Sequence, residues 1–71
     1  MRIKSRTKFL IRSLNQERIL NQLSSVAELF EIDRKSKDLT SFFCSFRDRK
    51  KVEKFLKSKQ VEVLKVENFV L

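Results

Sequence analysis

The 71-residue chain has no glycine, no proline and no histidine, and it has a single cysteine. Each absence excludes something. Without glycine, phosphate-cradling loops of the P-loop or dinucleotide type are ruled out, because their close backbone approach depends on a residue lacking Cβ. Any position that needs φ > 0 must use a second-best residue, for which Asn15, Asn21, Asn68, Asp33 and Asp38 are the candidates. With no histidine and only Cys44, zinc-site spacings and intrachain disulfides are excluded. A lone cysteine within an aromatic stretch reads as a small buried hydrophobe. No apolar run reaches membrane-spanning length and no leader with an apolar core is visible, so the expected location is the cytoplasm.

Stability must therefore come from a hydrophobic core, and a chain of this length builds only one, modest in size. What is abundant is positive charge. Seventeen Lys and Arg face nine Asp and Glu, giving +8 and a pI near 10.2. Such an excess is the footprint of a polyanionic partner: nucleic acid, an anionic membrane surface or an acidic protein.

The richest aromatic stretch is Leu39–Arg47 (LTSFFCSFR), read as a central strand with Phe42, Cys44 and Phe46 on one face and Ser41, Phe43 and Ser45 on the other. Before it, residues 1–6 form a basic arm expected to be flexible, carrying Arg2, Lys4 and Arg6. Residues 7–14 alternate as a first strand, Phe9 and Ile11 against Lys8, Leu10 and Arg12. Asn15 is placed to cap a helix over 16–29, whose Ile19, Leu20, Leu23, Val26, Ala27 and Phe30 recur at helical spacing. Residues 30–35 make a short edge strand whose solubility is guarded by Arg34, Lys35 and Lys37, followed by a turn at 36–38. Asp48 is placed to cap a second helix over 49–59, with Val52, Phe55 and Leu56 as its apolar stripe and Glu53–Lys57 as an i,i+4 pair. Residues 60–66 alternate as a fourth strand. The end of the chain, Phe69, Val70 and Leu71, is apolar and either folds over the sheet or meets a partner.

The order is βαββαβ. The right-handed crossover rule then gives an α+β ferredoxin-like domain over 7–71: a four-stranded antiparallel sheet, strands one and three central, both helices on one face. Such a sheet keeps one face open for binding.

No carboxylate pair converges by spacing and no histidine can serve as base, so no enzyme activity, cofactor or metal is expected. The favoured reading is a small nucleic-acid-binding module, with Lys8, Arg12 and Phe43 on the open face and Arg47, Arg49, Lys50 and Lys54 at the second helix. The competing reading is a protein-assembly module, a homodimer included, contacting its partner through Phe69, Val70 and Leu71. A third reading takes residues 25–36 as the first helix and turn of a DNA-binding helix-turn-helix, with 35–46 as its second helix. That turn lacks its frequent glycine, and a recognition helix rich in Phe would read base edges poorly.

The segments Asn15–Asn21 (NQERILN), Ile32–Lys35 (IDRK), Phe46–Lys51 (FRDRKK) and Val61–Leu64 (VEVL) resemble the N-terminal domain of YqfD-type sporulation proteins. The likeness covers most of the chain after the arm and rests on patterning and a few identities. It implies a non-enzymatic assembly domain near a membrane, its basic surface facing anionic lipid. The family's glycines between helix and strand, and its membrane-spanning region, have no counterpart here.

Overall fold

The computed structural model describes residues 5–69. Its elements are β1 (Arg6–Arg12), α1 (Gln16–Ser24), β2 (Leu29–Arg34), β3 (Leu39–Ser45), a 3-10 turn over Phe46–Asp48, α2 (Arg49–Ser58) and β4 (Glu62–Phe69). The strands form one antiparallel sheet in the order β2-β3-β1-β4. This is the expected βαββαβ arrangement, with β1 and β3 central. Arg6 belongs to β1 and not to an arm. The rest of the expected arm, residues 1–4, and the apolar Val70 and Leu71 lie outside the described residues.

Alternation explains why β1 and β3 meet as they do. Phe9 and Phe42 are direct cross-strand partners, both fully buried, with ring centroids 5.6 Å apart and planes 18° from parallel. Ile11 and Cys44 share that face, and Ile19, Leu20 and Leu23 of α1 and Val52 and Leu56 of α2 close over it as one cluster. Both helices therefore pack on the same face of the sheet. Cys44 is fully buried, and burial, with smaller contributions from Asp48 and Glu53, pushes its thiol up to about 11. Burial disfavours the thiolate, so the folded state holds the proton more tightly than the unfolded chain does. The thiol's contribution to stability is complete below pH 9 and is lost as pH rises toward 11. A denaturation midpoint measured across that window should fall more in the native protein than in Cys44→Ala.

Element ends depart from the sequence expectation for identifiable reasons. α1 stops at Ser24, where the backbone tightens to i→i−3 bonds, Ser25 N–H to the Gln22 carbonyl at 3.2 Å and Val26 N–H to the Leu23 carbonyl at 2.9 Å, and the Ser24 and Ser25 hydroxyls donate to the Leu20 and Gln22 carbonyls beside them. Leu29 and Phe30 consequently enter β2, and Phe30 leaves the helical core face. Neither Asn15 nor Asp48 caps through its side chain. Ser45 caps the 3-10 turn over Phe46–Asp48, its hydroxyl accepting from the Arg47 N–H at 3.3 Å, and the chain enters α2 through that turn. β4 begins at Glu62 and continues to Phe69, later at both ends than expected, with a register shift opposite Leu10 and Ile11 that leaves Leu64 without a partner on β1.

Among the described residues the φ > 0 positions are Glu31 (47°) and Gln60 (57°), not the Asn and Asp candidates. Gln60 sits where the end of α2 demands it. The Val61 N–H donates to the Leu56 carbonyl at 2.9 Å and the Gln60 N–H to Lys57 at 3.1 Å, the paired bonds of a Schellman ending that ordinarily uses glycine. A residue with a Cβ is strained there by roughly 1–2 kcal/mol. Gln60→Gly should raise stability by about 1 kcal/mol in urea titration, with no change in the slope.

Candidate nucleic-acid interface

The surface has two opposed sides, and they differ in chemistry. On the helix side, residues 47–59 carry seven Lys and Arg against two carboxylates, whereas the remaining described residues carry eight against seven. Nearly all of the described positive excess thus lies on and around α2. The geometry follows from the helix period. Val52 and Leu56 are fully buried against the sheet, so Lys50, Lys54 and Lys57 fall on the opposite side as an exposed row. Their backbone positions step by about 6 Å and then about 4.5 Å along the axis. Among the described residues none of these three has an ion-pair partner. The expected Glu53–Lys57 pair is not made, and the one pair on the helix joins Lys51 to Asp48 at 4.0 Å. Arg47 is exposed at the start of the row. Arg49 is turned inward: its guanidinium lies 3.7 Å from the Phe46 ring centroid and donates to the Phe46 carbonyl at 2.7 Å. Arg49 therefore braces the entry to α2.

The sheet's other face is aromatic with paired charges. Phe43 and Phe30 are cross-strand partners on β3 and β2, and Lys8 lies across from Phe43 on β1. The Lys8 ammonium is 5.6 Å from the Phe43 centroid, the Arg6 guanidinium 4.4 Å from that of Phe30, and the Phe69 ring 5.7 Å from Phe43. The cations here are largely neutralised. Arg6 pairs with Glu31 at 3.4 Å, Lys65 with Glu67 at 3.6 Å, and Arg12 with both Asp38 (3.4 Å) and Glu62 (3.6 Å). Phe43 is half-buried, so part of its ring is already used by Phe69 and Lys8.

The seven candidate contact residues fall in two groups, as the alternation and the helix period lead one to expect. Lys8, Arg12 and Phe43 lie on the open sheet face, and Arg47, Arg49, Lys50 and Lys54 lie on the helix side, with the sheet and the core between the groups. No single ligand face holds them all. The row Lys50–Lys54–Lys57 was readable at i, i+4, i+7, whereas sequence reasoning passed over Lys51 on α2. It also passed over Arg6 and Phe30, whose placement depended on where α1 ends. Residues 35–46 contain β3, so the helix-turn-helix pair is not formed. Two shallow clefts of ≈ 370 and ≈ 460 Å³ adjoin the β1–α1 turn, the first bringing Arg12, Arg18 and Lys59 together beside the end of α2. Among the described residues no group of three or more His, Cys, Asp and Glu gathers as metal ligands, and no helix is long and apolar enough to cross a membrane.

Compared with known proteins, the chain matches no family model, no curated protein and no solved structure.

Proposed function

We propose that this is a non-catalytic module that binds the phosphate backbone of nucleic acid through the outer face of α2. The observation that carries the reading is the concentration there of cations without an ion-pair partner among the described residues, Arg47, Lys50, Lys54 and Lys57, flanked by Lys51, against a described remainder close to neutral. Lysines on a convex helix contact phosphates as point charges and read no base edges, which makes the binding sequence-independent and strongly dependent on salt. The open sheet face supports the reading less well, because Arg6, Arg12 and Lys65 already have carboxylate partners and Lys8 lies over the Phe43 ring.

Binding to labelled single- and double-stranded oligonucleotides, titrated with salt, tests the proposal. Affinity that falls steeply with salt and is lost in Lys50→Glu/Lys54→Glu supports it. Absence of binding at low salt overturns it. Vesicles containing anionic phospholipid form the second arm, in line with what the YqfD-type resemblance implies. Binding to vesicles but not to either oligonucleotide would assign the same lysines to lipid phosphate instead.

A further inference from the structure

The two edges of the sheet are not alike. β2 is defended: it is short, its pairing with β3 is interrupted between Phe30 and Asp33, Glu31 adopts φ 47° at the interruption, and Glu31, Asp33 and Arg34 are exposed along it. These are the devices by which natural sheets prevent further pairing. β4 is eight residues long and carries Val63, Leu64, Val66 and Phe69, four of the six exposed large hydrophobics among the described residues, at 37–42% exposure. Its pairing with β1 is regular from Lys65 to Phe69. Among the described residues nothing pairs with its outer edge.

We infer that the outer edge of β4 pairs antiparallel with β4 of a second copy of this chain, joining the two sheets into one of eight strands. The occupant is identified by charge complementarity. Lys65 and Glu67 both lie on the open face, opposite Leu10 and Lys8 of β1. In an antiparallel pair related by a twofold axis perpendicular to the sheet, a register centred on Val66 sets Lys65 against Glu67 of the other copy, twice. Val66 then faces its own counterpart on the helix side. Moving the centre by one residue toward either end sets Lys65 against Lys65 or Glu67 against Glu67. Centres midway between residues would oppose side chains from different faces, which a continuous sheet does not allow. One register therefore satisfies both charge and face. The Lys65–Glu67 pair that each copy makes within its own strand, 3.6 Å long and exposed, exchanges for two cross-strand pairs.

The inference makes no use of nucleic acid, so its test is run without any. Sedimentation velocity of the full chain over a concentration series, at physiological ionic strength, where contacts shorter than the Debye length of about 8 Å persist, should show a reversible monomer–dimer equilibrium. Lys65→Glu and Glu67→Lys should each weaken the dimer roughly tenfold or more, since each turns two attractive contacts into two repulsive ones. The double swap Lys65→Glu/Glu67→Lys should restore it. Mixing the two single variants should produce a mixed dimer, because the register then places opposite charges together again. Both positions are exposed or half-buried, and circular dichroism should show each variant folded. A chain that stays monomeric at every concentration overturns the inference, as does a dimer indifferent to these reversals.

Discussion

Lys50→Glu/Lys54→Glu is expected to abolish oligonucleotide binding at moderate salt while leaving the thermal midpoint within a few degrees of the parent. Both side chains are exposed and unpaired among the described residues, so the fold does not depend on them. Four or five phosphate contacts along Arg47–Lys57 predict a log–log salt slope near −4 on duplex, which amounts to a loss of roughly 200- to 500-fold in affinity between 50 and 200 mM salt. Removing two of these contacts should reduce the slope by about two, and the reversed charges then repel the remaining backbone. Electrophoretic mobility shift or fluorescence anisotropy at three salt concentrations reads both quantities. Lys8→Glu, on the other side of the sheet, serves as the matched control and should leave the slope unchanged. If Lys8→Glu proves as damaging as the α2 pair, the ligand lies on the aromatic face and the α2 assignment is wrong.

The largest effect on stability is expected from Phe42→Ala. Phe42 is fully buried, stacks on Phe9 across the central strand pair, and sits where both helices converge. Truncating a buried Phe costs about 3–5 kcal/mol in lost transfer and an unfilled cavity. A domain of this size holds only about 4–11 kcal/mol in all. The midpoint should fall by about 15 °C or more, with a substantial unfolded fraction at 37 °C. Phe43→Ala, one residue along and on the other face, removes a half-buried ring and should cost far less. Urea denaturation of the pair separates burial on the helix side from aromatic content as such. Comparable losses in the two variants would mean that the open face is covered by something beyond the described residues.

The contrast between those neighbouring phenylalanines was legible in the sequence, because strand alternation fixes which ring goes where once one face is apolar. The same holds for Phe9 and Ile11 on β1 and for the stripe of Val52 and Leu56 on α2. Less accessible were features governed by a hydroxyl or by partners far along the chain. The apolar period of α1 runs on through Val26, Ala27 and Phe30, yet the helix tightens and ends at the serine pair Ser24–Ser25, and Phe30 goes to the other face of the sheet. Asn15 and Asp48 have the right chemistry for caps, but neither side chain makes a capping bond, and Ser45 instead caps the 3-10 turn that leads into α2. Without glycine, the left-handed positions follow the geometry of a helix end and a strand irregularity, not the intrinsic preference of Asn or Asp. For the site, the cationic row on α2 was visible as a helical spacing. The neutralisation of Arg12 was not, since its partners Asp38 and Glu62 come from the β2–β3 turn and the start of β4.

The strand order also governs what happens while the chain is being made. β1 lies at the middle of the sheet, yet it is the first of the four strands in the chain, and its two neighbours come later: β3 after α1 and β2, and β4 only after α2 as well. Between the emergence of Arg12 and that of Glu62, the ribosome works for roughly 3–10 s at ordinary rates. Until β3 appears, Phe9 and Ile11 have no neighbouring strand to cover them, and the sheet is not complete until β4 has left the exit tunnel. Productive folding of this domain therefore waits for its last strand, and until then one edge of β1 has nothing to pair with.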